Sequence, residues 1–152
     1  MNIFVLHKNP KVAARYCCDK HVVKMILESA QMLCAAHPEG TAPYKRTHYN
    51  HPCTVWTRTS LGNYKWLLKH AFALCKEYTH RYGKVHKTEA VINFCSTNYP
   101  QFDRTRRTPF PQAMPDEYKV QGDAVSAYRD YYLHEKSHFA VYTDRDVPLF
   151  LV

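Results

Sequence analysis

The sequence predicts a mainly α fold, a single compact helical domain with long basic, proline-rich loops and at most a short N-terminal strand. Three observations carry that expectation. Apolar residues recur at helical spacing over long stretches, most clearly Leu61, Tyr64, Leu68, Ala71, Phe72, Cys75, Tyr78 and Tyr82. Helix-opening signals stand ahead of the periodic stretches at Asn9-Pro10, Ser60 and Asp123, and Gly83 closes the clearest one. The chain has 152 residues, 45% hydrophobic and 22% charged, with no internal repeat and no linker, so residues 1–152 read as one domain.

Residues 2 to 6 (Asn-Ile-Phe-Val-Leu) are β-prone and suit one short strand or an extended arm. Asn9-Pro10 places a cap before a first-turn proline and opens a helical stretch to about Ala36, which breaks or is re-capped near Asp19. In its second part Val22, Val23, Ile26, Leu27, Ala30, Leu33 and Cys34 form an apolar side, leaving Lys20, His21, Lys24 and Glu28 on another. His37-Pro38-Glu39-Gly40 ends it, and residues 37 to 51 form a basic aromatic loop. Pro52 starts a short helix through Arg58, Ser60 caps the helix from Leu61 to Tyr82, and Thr88 is placed to cap another from Glu89 to about Ser96. From Thr97 to Gly122 the periodicity dissolves into a proline-rich loop carrying Arg104, Arg106 and Arg107, and Asp123 then caps a last helix containing Tyr128, Tyr131, Tyr132 and Lys136.

Lysine plus arginine number 21 against 13 acidic residues, a formal net charge of +8, and 14% of the chain is aromatic. This balance favours an anionic partner, because basic side chains replace counterions along phosphates while aromatic faces stack on bases. The six cysteines are too sparse for a disulfide scaffold and read as reduced thiols. The N-terminus lacks a basic region and a long apolar run, so a cytoplasmic location is expected, the host cytoplasm if the chain is phage-encoded. Walker, dinucleotide-glycine, Gly-x-Ser-x-Gly and His-Glu-x-x-His motifs are absent, which removes the usual support for nucleotide-driven, nicotinamide and hydrolase-elbow chemistries.

Four constellations could carry chemistry. Lys20, Lys24 and Glu28 share one helical stripe with His21 beside it: a carboxylate among cations can stabilise a cationic transition state, and an amine there can act as nucleophile. A solvated helix face with an ion pair would give the same spacing. Tyr44, Arg46, His48 and His51 suit phosphate binding and base stacking, and Arg104, Arg106 and Arg107 suit a phosphate clamp, with exposed loops as the plain alternative. Asp116 and Glu117 emerge from a proline-stiffened turn and read first as caps. Cys18-x-x-His21 and Cys34-x-x-His37 look like a zinc pair, but 16 residues of helix separate them by about 24 Å, so no metal and no cofactor is expected.

The segments Met1-Asn-Ile-Phe-Val-Leu-His-Lys-Asn-Pro10 and Cys18-Asp-Lys-His-Val-Val-Lys-Met-Ile-Leu-Glu28 resemble small phage proteins that look like pyrimidine-dimer DNA glycosylases of the endonuclease V type. The likeness runs more weakly through Gly62–Gly83 and Tyr128–Tyr132. It implies a helical DNA repair enzyme whose own α-amine attacks the sugar C1′, with Glu28 as the assisting carboxylate and His21 and Lys24 as sugar or phosphate contacts. Asn2 stands where the family carries a small residue that permits removal of Met1, so Lys20, Lys24 or an activated water stand beside the Met1 amine as alternative nucleophiles.

The expected function is therefore a DNA glycosylase, with or without abasic-site lyase activity, that extrudes and excises a damaged or modified base of duplex DNA. Two alternatives remain from other classes: a non-catalytic DNA-binding or host-interaction protein, and a metal-independent enzyme acting on a nucleotide or small phosphorylated compound. The first reading requires the charged flank of the early helix to line a hollow wide enough for a nucleotide.

Overall fold

A computed structural model describes residues 1–152 and contains six α-helices and no strand: α1 (Pro10–Tyr16), α2 (Asp19–Ala35), α3 (Pro52–Thr59), α4 (Leu61–Tyr82), α5 (Glu89–Thr97) and α6 (Ala124–Tyr131). Helix α4 is the hub, and α1, α2, α3 and α5 all pack against it. Its role follows from its sequence: Tyr64, Leu67, Leu68, Ala71, Leu74 and Cys75 are buried on several sides rather than along one narrow stripe. Ser60 Oγ accepts the Asn63 N–H at 3.1 Å, and Gly83, at φ +70°, donates its N–H to the Thr79 carbonyl at 2.8 Å.

The first-turn N–H groups of Leu61 and Gly62 find partners outside the helix, the carbonyls of Arg104 and Thr105, both at 2.9 Å. Position 62 must be glycine for this approach, since a Cβ there would lie 2.5 Å from the Arg107 nitrogen. The long loop after α5 is thereby tied down. Asn63 Nδ2 donates to Thr108 Oγ1, Trp56 Nε1 donates to the Thr108 carbonyl, and the Gln112 amide pairs with both backbone groups of Val120.

The break between α1 and α2 is held by Arg81, whose side chain is fully buried. Its guanidinium donates to the carbonyls of Cys17 and Arg15 and pairs with Asp19 and Glu77. Arg145, from the C-terminal segment, clamps the other side of Glu77 at 2.8 and 2.9 Å. Two guanidiniums thus hold one buried carboxylate below its ordinary range, although burial, the largest influence, pushes it the other way.

One local alternative is settled and two local expectations change. Residues 2 to 6 are an extended arm with no ladder partner. Their backbone is bent instead, with Phe4 at φ +55° and the Leu6 N–H donated to the Phe4 carbonyl at 2.9 Å. Thr88 does not cap α5 through its side chain, because its hydroxyl is taken by Tyr44 at 3.2 Å. The last helix ends at Tyr131, where a widened turn (Tyr132–Lys136) leads into a short 3₁₀ turn, Ser137–Phe139. All six cysteines are free and buried, and no helix is long and apolar enough to cross a membrane.

Candidate active site at the amino terminus

The arm lies antiparallel to α2. Its start meets Glu28 and its Phe4 ring stacks on His21, with centroids 4.2 Å apart. The registers match: seven helical residues rise about 10.5 Å, and three extended residues span about 10 Å. The arm is locked by Asn2. Its Oδ1 accepts the N–H groups of Ile3 at 2.7 Å and Phe4 at 3.3 Å, and its Nδ2 donates to the Ala113 carbonyl at 2.8 Å. A bulky residue at positive φ is strained and persists only where its surroundings fix it. The Phe4 ring is fixed by His21 on one face and by the edges of Tyr128 and Tyr132.

This geometry delivers the chain's first nitrogen to a carboxylate. The Met1 α-amine is 3.4 Å from Glu28 Oε1, and the Asn2 N–H donates to the same oxygen at 3.1 Å. The Met1 side chain is only 1% exposed although the residue as a whole retains exposure, so the backbone end carrying the amine is what reaches solvent. Lys24 Nζ lies 3.8 Å from the second oxygen, and its side chain is 65% exposed. Glu28 is thus a largely buried carboxylate with two amines on one side and solvent beyond them.

The loop before α3 closes on the same place. His51 caps α3, its Nδ1 accepting the Cys53 N–H at 3.0 Å. Burial, then the positive α-amine and His48, hold the His51 ring below the ordinary imidazole range, while Glu28 pulls the other way. The Cys53 thiol is pushed up to about 12, chiefly by burial, and it too senses the α-amine and Glu28. The structure therefore puts Met1, Lys24 and Glu28 in contact, with His51 near enough to feel the charges of Met1 and Glu28, while the His48 ring pairs with the Thr47 hydroxyl at 3.0 Å.

Other candidates lie elsewhere. His21 is in the wall behind the site, 5% exposed, with Nδ1 sharing a 2.7 Å hydrogen bond with the Tyr132 hydroxyl. Burial, aided by Lys136, Lys24 and Lys20, lowers its pKa to about 3, which favours the neutral ring near neutrality. Lys20 is exposed and sits over the Phe139 ring, which Lys136 approaches as well. Tyr44 turns toward Thr88. Arg46 turns toward His37 and Glu39, and its guanidinium covers one side of Tyr49 while Arg58 lies against the same ring. Arg104, Arg106 and Arg107 are exposed around the start of α4, with Arg107 stacked on Phe110. Asp116 pairs with Lys119 inside its own turn.

Sequence reasoning missed Asn2, Phe4 and Lys136. Asn2 carried a signal, a turn-forming side chain in a β-prone run, whereas Lys136 is placed by a turn that no pattern announces. The expected hollow also differs. The four main cavities, of 380 to 660 Å³, are lined by neither Met1, Lys24 nor Glu28, because the arm fills the space beside α2 and leaves the amine at an open surface.

A model of the pyrimidine dimer DNA glycosylase family matches residues 1–90, which carry the arm, α1 to α4 and every member of the Met1–Glu28–His51 constellation. No curated protein and no solved structure matches the chain. With well over half of its length covered, and with that half holding the amine and carboxylate in register, the chain belongs to the pyrimidine dimer DNA glycosylase family.

Proposed function

We propose that the protein is a DNA glycosylase with abasic-site lyase activity, in which the α-amine of Met1 is the nucleophile and Glu28 its proton acceptor and donor. The observation that supports this most is the 3.4 Å contact between the α-amine and a carboxylate that is itself withdrawn from water. An α-amine is intrinsically less basic than a lysine ε-amine, so more of it is neutral and nucleophilic near neutrality.

In this reading the neutral amine adds to C1′ of an extruded nucleotide while the bond from C1′ to the base breaks. The base leaves with the electron pair. Glu28 accepts the proton released by the nitrogen and returns it to O4′ as the sugar ring opens to an imine. Glu28, a carboxylate again, accepts a C2′ proton as the electron pair of that C–H bond expels the 3′ phosphate, and water then hydrolyses the imine and releases the amine from the sugar. Lys20, Lys24 and Lys136 supply positive charge around the entrance for the flanking phosphates, and the duplex forms the missing wall of the open site.

The family supports pyrimidine dimers as the damage class. The test is borohydride trapping on duplexes bearing one cyclobutane dimer or one abasic site. A covalent adduct, with base release reduced about 100-fold or more in Glu28→Gln, is the expected result. DNA binding with neither adduct nor base release across a damage panel would replace this reading with that of a non-catalytic binder.

A further inference from the structure

A 510 Å³ groove lies between α1 and α4, closed at one end by the C-terminal segment. It shares no lining residue with the Met1–Glu28 site. Lys11 and Arg15 form one wall, Lys69 and Lys76 the other, and Arg145 the end. The first four are exposed and have no carboxylate partner. The one carboxylate in the groove, Glu77, is 6% exposed at its side chain and already bridged by Arg81 and Arg145. Its charge is spent on orienting Arg145 and not on neutralising the lysines. Asp144 and Asp146 lie in an adjoining hollow at the Arg15–Arg145 end and bound the positive strip there.

We propose that this groove is a second DNA site, which takes the phosphate backbone of a duplex independently of the amine–carboxylate centre. Two features select that ligand among anions. The α4 residues of the groove run from Lys69 to His80, twelve residues whose eleven steps rise about 16 Å along the helix. That length is enough to follow more than one phosphate along a strand, whereas a single phosphate group would engage only one end of it. The groove's aromatic content is one half-buried ring, Phe72, and the exposed imidazole of His80, too little to stack the successive bases of a single strand. Its contacts are to backbone alone and read no sequence.

The inference concerns binding and does not depend on the chemistry at Glu28. The experiment is fluorescence anisotropy of the full chain with an undamaged 30-base-pair duplex, read as the dependence of log K on log salt. Wild type is compared with Lys69→Gln/Lys76→Gln and, from the opposite wall, Lys11→Gln/Arg15→Gln. Each exposed pair removes two phosphate contacts, so each double variant is expected to lower the slope by about 1.8. Borohydride trapping on a short abasic duplex, at saturating protein, is expected to be unchanged. Slopes equal to wild type in both variants would overturn the proposal. So would displacement of a fluorescent nucleotide or of tripolyphosphate from the groove with duplex affinity unaltered, since that would assign the groove to a small phosphorylated ligand. Absence of trapping in the wild type, with slopes lowered as expected in both variants, would count against the reading of the Glu28 site and leave the groove assignment standing, whereas trapping lost only in the groove variants would overturn the independence of the two sites.

Discussion

Acid should unfold this protein through His21, and the size of the effect follows from where the ring sits. His21 is stacked on Phe4, bonded to Tyr132 and faced by Lys136, Lys24 and Lys20, and its pKa falls from 6.5 to about 3. His70 behaves alike. It is fully buried, its Nδ1–H donates to the Pro10 carbonyl at 3.0 Å, its Nε2 has no partner, and its pKa falls to about 4. A folded pKa below the unfolded value means that the unfolded chain binds the proton first. The stabilisation is therefore complete above 6.5 and is lost as pH falls toward the folded value. At about 1.4 kcal/mol per pH unit, each ring withdraws roughly 2 kcal/mol by about pH 5, a large part of an ordinary stability of about 5–15 kcal/mol. Urea unfolding followed by far-ultraviolet circular dichroism at about pH 7 and about pH 5 measures the loss. His21→Phe keeps the ring stack but cannot titrate, so its loss between the two pH values should be smaller than that of wild type by about 2 kcal/mol. The hydrogen bond it gives up at Tyr132 lowers stability at both pH values and cancels in the difference. Equal losses in wild type and variant would refute the placement of a neutral His21 behind the arm.

Further outcomes are expected elsewhere. Arg81→Met removes the cation from Asp19, leaves Glu77 with Arg145 alone and takes the donor from two carbonyls, and should lower unfolding stability by about 3–5 kcal/mol in a urea titration. Gly62→Ala drives a methyl group into the backbone of residues 105 to 107 and should cost about 1–3 kcal/mol, with earlier proteolytic cleavage in the 98–122 loop as a local readout. Lys24→Gln leaves the buried contact between the α-amine and Glu28 in place, so it should weaken DNA binding and reduce the salt slope by about 0.9 while trapping persists.

Most of the helical frame was legible because it is written in local chemistry. Ser60, Gly83 and Asp123 act as caps where their positions require, and the break near Asp19 coincides with a real gap between α1 and α2. The stripe on α4 marks the helix against which four others pack. What escaped depends on partners far along the chain. Thr88 looks like a cap until Tyr44, 44 residues earlier, takes its hydroxyl. The widened turn at Tyr132 accompanies a side chain bonded to Cys18, 114 residues away.

The site divides in the same way. Glu28 and Lys24 were readable because their four-residue spacing sets them on one face of a helix. His21 shares that spacing with ordinary surface residues, and only the arrival of Phe4 buries it. His51 belongs to a basic loop that also contains Tyr44, Arg46 and His48, and nothing local separates the ring that senses the amine from Tyr44, which turns to Thr88, or Arg46, which turns to His37 and Glu39. The role of the first residue is likewise a tertiary fact. An extended arm presents its amine to Glu28 because Asn2 and Phe4 bend and pin it.

The account rests on that amine. Peptide mapping by mass spectrometry of the borohydride-reduced adduct with an abasic duplex tests it directly. The account predicts a sugar-derived mass on the α-nitrogen of residue 1, absent in Glu28→Gln. An adduct on Lys20 or Lys24, with residue 1 unmodified, would contradict it.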